Sequence, residues 1–333
     1  MRHSEPENLP FETEKKSCCG LKTAAWLLGA AIGGAAAANA YIALKTPEPD
    51  DLLGGVFNRY PARQGDIADT VAGDGPPLLL LHGLGAGSSM AEWEGNFQEL
   101  AEHFTVYALD FLGWGASDKP ESHYGLETYA EQVEYFAEDV IGGPCAVAAS
   151  NQSAAFALRA AARRPDLFTN FVLVCPTLQD ADPAIHEAKS KIVLNLMSLP
   201  ILGQTLYNCI ASRRSSEEFA RRHLFFDKSR VDDAFLTHHA IAAHQPGARH
   251  ALTAFLAGEN DTDPLEDWAK INVPALLVWG RNALITPVDM APEWLALQPT
   301  AHLEVIDDAM LLPHAEHPAK FNALVVDWLK KNA

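Results

Sequence analysis

Cysteine and positive charge are what this 333-residue chain has little of. Its five cysteines (Cys18, Cys19, Cys145, Cys175 and Cys209) form an odd set with no C-x-x-C spacing and no histidine cluster beside them. That pattern excludes a disulfide framework and a zinc site, so no metal and no cofactor is expected. Cys145 and Cys175 fall in apolar runs, where a free thiol acts as a small core residue. Lys and Arg number 25 against 43 Asp and Glu, a net charge of −18. Such a field repels phosphate backbones and excludes nucleic acid as a partner. With 48% apolar and 20% charged residues, the chain can bury a sizeable core, and intrinsic disorder is excluded.

Charge is missing altogether from residues 23–44, a stretch flanked by Lys22 and Lys45. About 20 apolar residues cross a hydrocarbon core of ~30 Å, so this stretch reads as a transmembrane anchor behind a polar segment, residues 1–22. Ala38-Asn39-Ala40 has the form of a signal-peptidase site, and cleavage near Ala40 with secretion is the rival reading. The long polar leader and long apolar part favour the uncleaved anchor. Lys15, Lys16 and Lys22 outnumber Lys45, which places the N-terminus inside and the bulk of the chain on the extracytoplasmic side. Gly29 and Gly33 give a G-x-x-x-G spacing, a helix-packing face. Residues 45–65, rich in Pro and Gly, read as a linker.

Beyond the linker, short unbroken apolar runs at 77–82, 104–110, 145–149, 171–175, 275–279 and 302–306 read as doubly covered parallel strands. Amphipathic segments separate most of them. The last, 319–331, sets Phe321, Leu324, Val325, Trp328 and Leu329 on one face. The alternation predicts an α/β fold, a mostly parallel sheet with helices on both faces, over 66–176 and 271–333. Residues 177–270 carry helical patterns at 192–206, 216–226 and 231–244 without a strand, and read as an inserted helical cap.

Four motifs carry a family resemblance. They are His82-Gly83 after the first apolar strand, a D-x-x-G-x-G-x-S-D turn from Asp110 to Asp118, Val278-Trp279-Gly280, and Pro313-His314-x-Glu316-x-Pro318. In this order at strand ends, they resemble the α/β-hydrolase superfamily, with epoxide hydrolases and haloalkane dehalogenases nearest in wording. The resemblance covers about residues 60–331 and implies a nucleophile on a tight strand-to-helix elbow of form small-x-nucleophile-x-small. The segment 149–154 is the candidate. Small residues six and ten positions on and a Pro fourteen on place the tip at Asn151, through Ala157, Ala161 and Pro165.

The resemblance also locates the partners of that nucleophile. In the W-G-x-x-D form the acid position falls on Ala283, and in the G-H-x-P-H form the histidine position falls on Leu311, with Met310 at the Gly. Asn, Ala and Leu can supply neither nucleophile, acid nor base. The expectation is therefore a non-catalytic, membrane-anchored protein that binds an apolar small molecule or a protein partner. Its oxyanion-type pocket is formed around His82, Gly83, Leu84 and Gln152, with the N–H groups of Leu84 and Gln152 converging. Leu196, Met197, Leu202 and Phe225 are candidates for the roof of an apolar pocket. Two alternatives stand beside this reading: a hydrolase using non-standard residues drawn from Ser150, Ser153 and His314, and a structural subunit of a membrane complex. Asp180 marks a region where some hydrolases carry a displaced acid.

Overall fold

The six apolar runs form the parallel part of one eight-stranded sheet of order β1-β2-β4-β3-β5-β6-β7-β8. This computed structural model describes residues 18–49, 52–178 and 183–332, with side chains of all but 18–25 and 183–189. Residues 1–17 of the polar segment 1–22, and Asp180, lie outside the described residues; 18–22 already belong to the N-terminal helix. Strands β3 (Pro77–Leu81), β4 (Thr105–Asp110), β5 (Cys145–Ser150), β6 (Phe168–Val174), β7 (Ala275–Gly280) and β8 (His302–Ile306) run parallel. Buried on both faces, such strands hold continuous apolar sequence, as the four leucines of β3 illustrate with no exposure.

Two further strands precede them. β1 (Val56–Ala62) pairs antiparallel with β2 (Gly65–Ala72), which pairs antiparallel with β4. β1 lies inside the stretch 45–65 expected to be linker, so the sheet begins ten residues earlier than 66. The hairpin escapes a search for apolar runs because β1 is the exposed edge of the sheet and β2 carries Asp66, Asp69 and Thr70.

One face of the sheet is covered by α2 (Glu94–Ala101) and α13 (Pro318–Lys331), through Phe97, Leu100, Phe321, Val325 and Leu329. The other face carries α3 (Leu126–Tyr135) and α4 (Ser153–Arg163), through Tyr129, Val133, Phe156 and Leu158. Between β6 and β7 the chain runs through α5 (Pro183–Met197), α6 (Pro200–Ile210), α7 (Arg213–Phe219), α8 (Asp233–Ala243), α9 (Arg249–Ala257) and α10 (Leu265–Trp268). The continuous helix expected over 192–206 is instead two helices. Pro200 disfavours the α conformation at the residue before it, and Leu199 is extended at φ −64, ψ 125. α11 (Ala291–Leu297) and the short α12 (Pro313–Glu316) complete the fold.

Two of the residues expected to roof an apolar pocket face away from the protein. Leu196 and Leu202 are 44% and 57% exposed, whereas Met197 and Phe225 are buried. A helical apolar stripe does not say which way it faces, and here the insertion fills its inner side with Met197 and Tyr207. The N-terminal helix α1 (Cys18–Lys45) contains one segment, Trp26–Lys45, long and apolar enough to cross a membrane, with none of it buried inside the protein. A signal sequence satisfies the same description. Near its C-terminal end α1 packs along α6.

Candidate functional site

At the end of β5 the chain reverses into α4 through Asn151, which has a left-handed φ of 53°. Asn tolerates that region better than other side chains, because its short amide can bond locally. The Asn151 N–H donates to the Val174 carbonyl at 2.9 Å, tying the turn to β6. The helix behind it buries Ala154, Ala155, Ala157, Ala160 and Ala161, small enough for α4 to lie close on the sheet.

Around this turn a buried polar group assembles. Asn151 Nδ2 donates to Ser150 Oγ at 2.8 Å, while Asn151 Oδ1 is buried without a hydrogen-bond partner among the described residues. The Ser150 hydroxyl lies near enough to the Glu92 carboxylate to help hold that group down. Glu92 Oε2 accepts from the Gly83 N–H at 3.1 Å, and Oε1 lies 3.1 Å from His314 Nε2, a close polar contact and not an aligned hydrogen bond. His314 is fully buried, its ring 4.2 Å from that of Trp93. Burial by itself pushes the Glu92 carboxyl up, but His314, Ser150 and the nearby His82 outweigh it and hold the group below the usual carboxylate range.

Glu92 is absent from the residues singled out in the sequence. It occupies a 3₁₀ turn, Met90–Trp93, which no apolar period reveals. The available signal is that it is the first Asp, Glu, Lys or Arg after Asp74, placed just before a buried Trp.

The loop after β3 joins the same junction. A β-carbon on Gly83 would stand 3.0 Å from Asn151 Nδ2 and 3.3 Å from Glu92 Oε2, so any larger residue would press those two side chains back by a few tenths of an ångström. Leu84 and Gln152, the next residues of the two loops, flank that contact; the Gln152 side chain donates to the Asn260 carbonyl at 2.8 Å. His82 is buried, with Nδ1 donating to the Gly83 carbonyl at 2.7 Å and Nε2 accepting from the Phe111 N–H at 3.3 Å. Ser153 donates its hydroxyl to the His82 carbonyl. It is therefore not partnered with His314, whose ring faces Glu92 and, through it, Ser150.

Ala283 and Leu311 both belong to the main apolar cluster, at 5% and 7% exposure. Their loops are drawn together by backbone: Asn282 N–H donates to the Ala309 carbonyl at 2.8 Å, and a β-carbon on Gly280 would stand 1.9 Å from the Met310 carbonyl oxygen. Glu316 fastens this loop to the insertion. Its Oε2 accepts from the Met310 N–H at 2.6 Å, and its Oε1 accepts from the N–H groups of Phe226 and Asp227 at 2.6 and 3.1 Å.

From above, α8 lays His239 over the loop at Gly87, where a β-carbon would meet the His239 carbonyl at 2.5 Å. Burial first, and then His238, push the His239 imidazole down to about 4, despite the opposing pull of Glu92. A cavity of about 260 Å³ opens beside this junction, lined by Leu52, Leu53, Phe57, Met90, Asp110 and His238 among others. It borders the turn at Asp110 and not the elbow. Among the described residues no group of three or more His, Cys, Asp and Glu is placed to hold a metal ion.

A family profile described as alpha/beta hydrolase family matches residues 78–324. The chain is 26% identical over 297 residues to 2-hydroxy-6-oxo-6-(2'-aminophenyl)hexa-2,4-dienoic acid hydrolase of Metapseudomonas resinovorans, covering 84% of this chain and 90% of that one. It is 27% identical over 258 residues to the pimeloyl-[acyl-carrier protein] methyl ester esterase of Aeromonas salmonicida, covering 76% and 95%. Among solved structures, a thermophilic esterase from Thermogutta terrifontis superposes with a TM-score of 0.68 at 20% identity, over 83% of this chain and 99% of that one.

Proposed function

The chain belongs to the α/β-hydrolase family, and on that premise we propose that it is a membrane-tethered member that binds an apolar small molecule bearing an N–H or O–H donor without hydrolysing it by the family's Ser-His-acid route. One observation carries this reading: the elbow tip is Asn151, a carboxamide with one end spent on Ser150 and a bare Oδ1. A carboxamide has no proton to surrender and no lone pair comparable to an alkoxide or thiolate, so it does not form an acyl-enzyme. Ala283 and Leu311, where the resemblance puts acid and base, add only apolar surface. The apolar lining near this junction, at Met90 and Phe57, supports an apolar ligand although it does not reach the elbow, and the helix Trp26–Lys45 supports the tether.

The polar group beneath the elbow has the wrong order for a relay. In a working triad the imidazole lies between hydroxyl and carboxylate and takes the proton. Here Glu92 lies between Ser150 and His314, and a carboxyl held below its usual range is a poor base for a serine hydroxyl.

A second reading, hydrolysis through Ser150 with Glu92 and His314, is favoured by the contact chain itself and by relatives named as hydrolases and esterases. A fluorophosphonate probe, which acylates activated serines, separates the two when applied to the full chain in detergent. The binding reading expects no labelling of the wild type and labelling of Asn151→Ser combined with Ala283→Asp and Leu311→His. Labelling of the wild type at Ser150, lost in both Ser150→Ala and Glu92→Gln, overturns it in favour of the second.

A further inference from the structure

Residues 192–212 carry no charged side chain in a chain that is 20% charged, and they are bounded by Lys191 on one side and Arg213-Arg214 on the other. They fold as the end of α5, the break at Pro200 and the whole of α6. The inner side of this pair is filled by Met197, Gly203 and Tyr207. The outer side is also apolar: Ile192 is 60% exposed, Leu196 44%, Leu199 42%, Leu202 57% and Leu206 37%. Five such side chains on one face of two adjoining helices form a contiguous patch of the kind that marks an interaction surface.

What covers it is indicated by α1. Asn39, within the apolar helix, donates to the Ile201 carbonyl at 3.2 Å and to Thr205 Oγ1 at 3.1 Å, and accepts from Asn208 Nδ2 at 3.0 Å. Those partners lie on the side of α6 that meets α1, so the exposed leucines of α6 stand beside the apolar helix. An amide in hydrocarbon is costly unless paired, and α6 supplies the pairing. Asn39 precedes Lys45 by six residues, or about 9 Å along a helix rising 1.5 Å per residue. Interfacial amphipathic helices bury their apolar side ~5–10 Å into the boundary of headgroups and acyl chains. At 11 residues α6 is too short to span, and its depth beside α1 is that of an interfacial helix.

We infer that the α5–α6 hairpin lies in the interfacial layer of the bilayer, with Ile192, Leu196, Leu199, Leu202 and Leu206 among the acyl chains and Lys191, Arg213 and Arg214 at headgroup level. The inference rests on α1 being a membrane span. The insertion then stands on the membrane as a second, non-spanning foot.

Cys209 supplies the test, because it is exposed and lies on the same side of α6 as Leu202 and Leu206, at i+7 and i+3. Full-length protein carrying Cys18→Ser and Cys19→Ser is reconstituted into phosphatidylcholine vesicles and labelled at Cys209 with a fluorophore. Quenching by acyl-chain nitroxide lipids is compared with quenching by aqueous iodide, and Arg222→Cys, whose native side chain is 65% exposed, serves as the water-facing control. Expected is strong lipid quenching at Cys209 and iodide quenching on the order of five-fold weaker than at Arg222→Cys, as immersion by several ångströms requires. A label at Leu202→Cys repeats the measurement should the first disturb Asn208. Vesicle flotation in the same preparation reads α1 alone. Flotation with a fully iodide-accessible Cys209 overturns the hairpin's placement and leaves the anchor standing, while loss of flotation overturns both. Protection from both quenchers assigns the patch to a second copy of the chain and overturns the inference.

Discussion

Glu92 Oε1 lies 3.1 Å from His314 Nε2 beneath the elbow, joining the loop after β3 to the C-terminal helices. The contact is almost wholly dry, Glu92 being 11% and His314 0% exposed at the side chain. Glu92 also receives the Gly83 N–H, so one carboxylate orders the loop after β3 and the floor of the elbow together.

Replacing Glu92 by Gln is expected to cost roughly 1–3 kcal/mol of stability at pH 7, as loss of a buried carboxylate that accepts hydrogen bonds does. A carboxyl held low in the folded state stabilises the protein above its unfolded value and loses that contribution as pH falls through the folded value. Wild-type urea midpoints should therefore fall on acidification below about pH 4, and Glu92→Gln should flatten that limb. An unchanged acid limb would remove Glu92 from its place as the organiser of the junction.

Asp69 predicts the opposite pH dependence. It is completely buried on β2, opposite Asn58, and burial raises its carboxyl from 3.8 to about 7 against a smaller opposing effect of Asn58. Its contribution is full below the unfolded value and lost as pH rises to about 7. Asp69→Asn should match the wild type near pH 3 and exceed it at pH 8 by up to about 4 kcal/mol, at 1.36 kcal/mol per unit. Parallel urea curves at the two pH values check this; equal gaps at both defeat it.

Glu316→Ala should leave three N–H groups without their acceptor, the buried one of Met310 and the half-buried ones of Phe226 and Asp227. A loss of about 1–2 kcal/mol follows, most of it from the buried Met310 N–H, since water can reach the other two. Hydrogen exchange should quicken at these three amides, although two lie far from the third in sequence. Faster exchange at Met310 alone would mean the insertion is held by something else.

Gly115→Ala is expected to be among the most damaging single changes. Its φ is 47°, and a β-carbon would stand 2.0 Å from Asp110 Oδ2, which accepts the Ala116 N–H at 2.6 Å. Because Asp110 Oδ1 also holds the Met90 N–H at 2.6 Å, displacement should reach the turn that carries Glu92. Thermal unfolding is predicted to drop by several degrees, as losses of 1 kcal/mol or more produce in a domain of this size; an unshifted midpoint would contradict the geometry.

The sequence by itself determined the parallel strands and the apolar N-terminal helix, and, with the family resemblance, pointed to the strand-to-helix turn at Asn151. Each is written in contiguous residues: continuous apolar runs for doubly covered strands, small residues behind Asn151, and a charge-free stretch before Lys45. It also named the residues at the three positions the family resemblance marks, Asn151, Ala283 and Leu311. Only the tertiary structure decided that Glu92 meets His314 and that Ser153 serves the His82 carbonyl, since those partners come from distant parts of the chain and short polar contacts leave no period. The edge hairpin β1–β2 was equally illegible, because an outer antiparallel pair needs no apolar run. The direction of Leu196 and Leu202 was decided the same way: an apolar stripe on a helix records that something apolar must face it, and packing alone settled that this is not the protein's own core.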